Sequence, residues 1–245
     1  MPAVCFVPQD DGARHGNFIS ESYKAIVSSP AWGQRLRKVH TLGRRSLPAT
    51  ERGRWMELDS RNSSDALLMN VFCHPRVLRS EKVSALLDVD RGAMPCFGVR
   101  ARVPRTSGGT DRTEVDMRMG NLLVEAKLTE TDFQRVGKRV LCQYRDFFDV
   151  FEEELLPQTE GHYLSYQLLR NVLAAHALQC SFCVLLDARR PDLAEAWYAV
   201  MRCVKPVGLR TALRVLTWQE LAQALPPKLQ DFLAIKYGII AKVRG

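Results

Sequence analysis

Nowhere in the 245 residues does an apolar run approach the ~20 residues a membrane span requires, so a spanning protein is not expected. The first stretch, MPAVCFVPQDDGARHG, is too short in its apolar part and too acidic for a secretory signal, which makes a soluble, cytoplasmic protein the expectation. Seven cysteines are an odd number, and they lack the spacing of a secreted disulfide framework. Cys5, Cys73, Cys96 and Cys142 sit among apolar neighbours, as reduced buried thiols do. Cys180 and Cys183, with His176 nearby, lack a fourth ligand, and their segment reads as a strand, where positions three apart face opposite ways. Core packing is therefore preferred there over zinc. Repeats and low-complexity linkers are missing too. Lysine is scarce: with nine lysines among 35 basic residues, arginine supplies most of the positive charge.

What is present is ordinary globular composition, 46% hydrophobic and 25% charged, at a length that suits one large domain or two small ones. The formal charge is +8, and arginine clusters in residues 33–54 and 98–112. A basic surface of this kind attracts polyphosphates through counterion release without implying a sequence preference.

Residues 1–60 read as a basic N-terminal extension, partly irregular, and residues 61–245 as the main domain. Within the extension, SESYKAIVSSPAW predicts a short helix capped by Ser20. SSDALLMNVFCHP predicts a helix capped by Ser63 or Ser64, and RVLRSEKVSALLDVD a second one. CFGVRARVP then alternates as a strand with Arg100 and Arg102 on one cationic face. ETDFQRVGKRVLCQYRDFFDVFEEELLP has helical spacing throughout, and GHYLSYQLLRNVLAAHAL predicts another helix. Tyr144, Phe147, Phe148 and Phe151 read as a core stripe rather than a stacking platform for single strands. CSFCVLLDA reads as a buried strand, PDLAEAWYAVMRCV as a helix opened by Pro191, and LRVLTW as a last strand before the terminal helices QELAQAL and PPKLQDFLAIKYGII. The order predicts an α/β fold with a mixed central sheet flanked by helices.

The informative stretch is TEVDMRMGNLLVEAKLTE, residues 113–130. Gly120-Asn121 suits a two-residue hairpin turn. Counting outward sets Met119 opposite Leu122, Met117 opposite Val124, Asp116 opposite Glu125 and Glu114 opposite Lys127. Alternation puts Asp116, Glu125, Lys127 and Glu114 on one face, with Val115, Met117, Val124 and Ala126 on the other. Two facing carboxylates repel, so something must offset them, and a divalent cation would. Lys127 would then stand beside a phosphate or an attacking water. The acid-X-Lys tripeptide alone carries no weight: nine lysines and 27 acids make about one chance match expected, and the sequence has one. Its context carries the weight, since Asp116 falls opposite Glu125 on strands otherwise apolar enough to be buried.

At these residues the chain resembles the PD-(D/E)XK nuclease superfamily, the restriction-endonuclease-like fold, close to a bacterial branch of such proteins. An acid on one strand, a hairpin, and Glu125-Ala126-Lys127 on the next carry the resemblance, with NSSDALLMNVF and YLSYQLLRN on either side. It covers roughly residues 60–187, and the proline usual before the acid is replaced by Val115. The resemblance implies a Mg²⁺-dependent endonuclease (Mn²⁺ substituting) that hydrolyses DNA phosphodiesters. Asp116 and Glu125 would hold the metal, and Lys127 would assist the attacking water. A glutamine from the following helix would join them, Gln167 first and Gln143 second. A further carboxylate, where the family has one, would be Glu81. Arg100, Arg102, Arg44 and Arg45 would hold the DNA backbone. By analogy with other endonucleases of this fold the chain would act as a homodimer. The alternative is a catalytically degenerate nucleic-acid-binding or assembly protein that keeps the fold.

Overall fold

The computed structural model describes residues 11–42, 45–46 and 53–241. Two compact units emerge: residues 1–97 with 219–245, and residues 98–218.

In the first unit, the expected early helices form at Ser20–Ser28, Ser64–Phe72 and Glu81–Leu87. Ser63 caps the second by accepting from the Ala66 amide, and Ser80 caps the third through Val83. Ser20 does not act as a cap: Ile19 holds that position without a side-chain bond, and the Ile19 amide donates to Asn70 Oδ1 instead. Asn17 and Asn70, both fully buried, staple this unit by bonding to backbone groups far away in sequence. Their amides satisfy carbonyls that no helix or strand reaches. Phe18, Tyr23, Ile26, Trp32, Leu58, Ala66 and Met69 pack as its core. Cys96, expected to be buried, is exposed, and Cys5 lies outside the described residues.

The central sheet has five strands in the order Leu213–Thr217, Ser181–Leu186, Leu122–Ala126, Glu114–Met119, Pro95–Arg100. The hairpin register is as expected, with Met119 opposite Leu122 and Met117 opposite Val124. On its other side Leu122–Ala126 runs parallel to Ser181–Leu186, which in turn runs parallel to Leu213–Thr217. That central place changes the character of the strand: every residue of Leu122–Ala126 is buried, so the alternation in its sequence separates two buried faces rather than core from solvent. The long helices Tyr166–Leu178 and Pro191–Met201 supply apolar faces to the second unit's core, which holds Val172, Leu173, Leu193 and Trp197 beside Leu123, Phe182 and Val184 from the strands.

The long helix expected from residue 130 to 157 does not form. Gln134 takes a left-handed conformation, φ 62°, and Arg135–Gly137 becomes a short strand paired with His162–Leu164. Only single turns follow, at Lys138–Leu141, Phe147–Val150 and Glu153–Leu155. Val136 and Gly137 are weak helix formers, and pairing across the sheet overrides the spacing. The periodic pattern persists because Phe133, Leu141, Tyr144, Phe147, Val150 and Phe151 reach one core from separate segments. Phe148, counted in the aromatic stripe, faces solvent. GHYL likewise leaves the expected helix to form a strand, and Ser165, φ 59°, turns the chain into Tyr166–Leu178. No helix among the described residues is long and apolar enough to cross a membrane.

Candidate active site

Glu125 and Lys127 leave the buried central strand on the same side, 1% and 4% exposed. The backbone around Lys127 is pinned twice: its amide donates to Leu185 O (2.8 Å), and its carbonyl accepts from Trp218 Nε1 (2.9 Å). Lys127 Nζ lies 3.0 Å from Glu125 Oε1 and donates to Gln167 Oε1 at 2.9 Å, with the Phe133 ring 5.4 Å below it. Burial works against the ammonium, but the carboxylates of Glu125, Asp116 and Glu130 outweigh it and raise the Lys127 pKa above the ordinary lysine value. Lys127 is therefore a fixed cation.

Asp116 stands at the point where hairpin pairing gives way. Its Oδ2 accepts from the Ala126 amide at 2.8 Å, a side chain serving where a strand carbonyl would otherwise accept. The hydrogen-bonded register stops at Met117–Val124, short of Glu114 and Lys127, and Lys127 turns to Glu125 and Gln167. Glu125 also has protein partners on both of its oxygens. Lys127 engages one oxygen of Glu125, and Asn171 Nδ2 donates to the other at 2.7 Å.

Gln167 is positioned by an unusual helix start. Ser165 makes no side-chain cap, and the amides of Tyr166 and Gln167 donate instead to the carbonyls of Gln134 and Phe133. Gln143, the second choice, is exposed, and its carbonyl accepts from Thr106. Glu81 lies in the first unit, exposed and ion-paired with Arg91. Asn171 and its neighbour Arg170 were missed by the sequence reading. The available signal was spacing: Gln167 and Asn171 lie one helical turn apart, on one face.

Of the expected backbone grips, Arg100 ends its strand and Arg102 lies beyond it with φ 52°, so they do not share a strand face. They still converge, lining a groove of about 440 Å³ with Thr110 and Arg112. Arg44 lies outside the described residues, and Arg45 is described only as backbone in the two-residue strand Arg45–Ser46.

A family model described as Restriction Endonuclease associating with ARP matches residues 3–238. The chain belongs to that family. No curated protein and no solved structure matches it. Membership agrees with the resemblance carried by the hairpin, and the five-stranded mixed sheet flanked by helices is consistent with a restriction-endonuclease-like fold. A restriction-endonuclease family implies a DNA substrate and a metal.

The donors suit such an ion. Asp116 and Glu125 offer carboxylate oxygens, the hard ligands Mg²⁺ takes. Among the described residues no three His, Cys, Asp or Glu side chains are gathered to hold an ion. Two carboxylates suit a metal that completes its shell with water and phosphate oxygens.

Proposed function

We propose that the chain is a divalent-metal-dependent DNA endonuclease whose site is built from Asp116, Glu125, Lys127 and Gln167. The observation that carries this reading is the Glu125–Lys127 pair, almost wholly buried on a central strand with Gln167 on the same ammonium. Burying two charges costs several kcal/mol per ion even when they pair, roughly what apolar residues would avoid, so packing gives no reason to place them there.

Asp116 and Glu125 are the carboxylates that would hold the ion. Once bound, Mg²⁺ or Mn²⁺ polarises a phosphodiester and eases loss of a proton from water. Lys127, kept cationic by its acidic neighbours, faces the charge that develops on the phosphate. Gln167 fixes where Nζ points, since its Oε1 accepts from it. Arg100, Arg102 and Arg112 line a groove suited to backbone phosphates, with Arg44 and Arg45 as further grips. The reading places the nuclease domain at 61–245 behind a basic extension, and includes a homodimer, because cutting both strands takes two sites.

Plasmid nicking tests it. The wild type should nick with Mg²⁺ or Mn²⁺ and stop on chelation, whereas Asp116→Ala and Glu125→Ala should each lose at least about a hundredfold in rate. Nicking that survives both substitutions would place the chemistry elsewhere.

A further inference from the structure

Asn171 does more than fill space behind Glu125. It is fully buried on Tyr166–Leu178, and its Nδ2 donates to Glu125 Oε2 at 2.7 Å. A carboxamide can sit either way round, and here its orientation is set by a neighbour that can only donate. The Arg170 guanidinium gives Nε and Nη2 to Asn171 Oδ1, at 3.2 and 2.9 Å, which leaves Nδ2 aimed at the carboxylate. Arg170 is itself held: Nη2 also donates to Glu114 O at 2.8 Å, on the strand that carries Asp116. Arg170 is 4% exposed and stacks near the Tyr166 ring, so little of this can rotate away.

The chain of bonds therefore runs from the Glu114 carbonyl through Arg170 and Asn171 to Glu125. It ties the two acid-bearing strands together through the helix. Lys127 grips the other oxygen of Glu125, so the carboxylate plane is fixed at both ends, and each oxygen keeps a further lone pair for a ligand.

We infer that Asn171, oriented by Arg170, is a positioning residue that presents the Glu125 carboxylate to a divalent cation. The inference rests on the proposed metal-dependent reading of the site. Outer partners of metal ligands commonly contribute ten- to a hundredfold in affinity, and Asn171 should fall in that range.

Two measurements decide it. The first is Mn²⁺ titration by calorimetry of the wild type, Asn171→Ala and Asn171→Gln. The alanine variant should bind about tenfold or more weakly. The glutamine variant, which keeps an amide donor, should recover part of the loss. The second is a double-mutant cycle on urea unfolding without metal, combining Asn171→Ala with Glu125→Gln. Non-additive losses would show that Asn171 acts through Glu125. Wild-type Mn²⁺ affinity in Asn171→Ala, or additive unfolding losses, would overturn this inference and leave the proposed function standing. A wild type that binds no Mn²⁺ would overturn both.

Discussion

Each unit holds an ionic cluster, partly exposed in the first and buried in the second, and the two respond to burial in opposite ways. In the first, among the described residues, Arg35 reaches both Asp65 and Glu57, and Lys38 is bonded to Glu57 at 2.9 Å. Burial wins at Asp65: desolvation pushes its carboxyl above the ordinary value despite Arg35. In the second, Glu125 pairs with Lys127, and the charges of Glu125, Asp116 and Glu130 win over burial at the ammonium. There the acids keep Lys127 charged, and the proposed function draws on that balance. The lesson is that burial does not by itself fix how a charged group is perturbed; the neighbouring charges decide the direction.

Removing a cation from each cluster should separate them. Lys127→Met leaves Glu125 buried beside Asp116 with only Asn171, and should destabilise the protein by about 3–5 kcal/mol in urea. Arg35→Met leaves Lys38 on Glu57 and strands Asp65, which can take up a proton because its pKa is already raised, and should cost about 2 kcal/mol. Equal losses would break the comparison. Surface arginine sharpens it from outside the clusters. Replacing Arg100, Arg102 and Arg112 together with alanine should lower the slope of log affinity against log salt for duplex DNA by about one per arginine, while Arg35→Met leaves that slope unchanged.

The smallest effect concerns acid. Asp111 lies buried in the second unit; burial raises its carboxyl, but donors from Thr113 and Tyr144 outweigh that and hold it below the ordinary 3.8. A depressed folded pKa contributes stability above the unfolded value, and loses it as pH falls through the folded one. Asp111→Asn should therefore cost about 1–2 kcal/mol at neutral pH and flatten the acid limb below 3.8. Asp65 has the reverse sign: its raised pKa favours folding below the unfolded value, and that contribution is lost as pH rises through the folded one. Asp65→Asn should steepen the acid limb, as followed by pH titration of the unfolding midpoint.

Much of the candidate site's geometry was legible because hairpin chemistry is local. Gly120-Asn121 set the turn and with it the register from Met119–Leu122 to Met117–Val124, and alternation carried on from there puts Asp116, Glu125 and Lys127 on one face. The strand SFCVLL and the helix begun by Pro191 were equally readable, since their periods and breakers lie within a few residues. The run from 130 to 157 was misread for the same reason inverted. Its apolar residues recur at helical spacing, yet they meet the core from a strand and two single turns, because Val136 pairs with Tyr163 from 27 positions away.

The sequence by itself determined the turn, the register and the residue types that suit a metal and a phosphate, because each depends on steric rules spanning a few bonds. Only the tertiary structure decided that Lys127 would bridge Glu125 and Gln167, and that Arg170 would orient Asn171. Those choices depend on which helix packs beside the hairpin, and a strand cannot specify a partner 40 residues on.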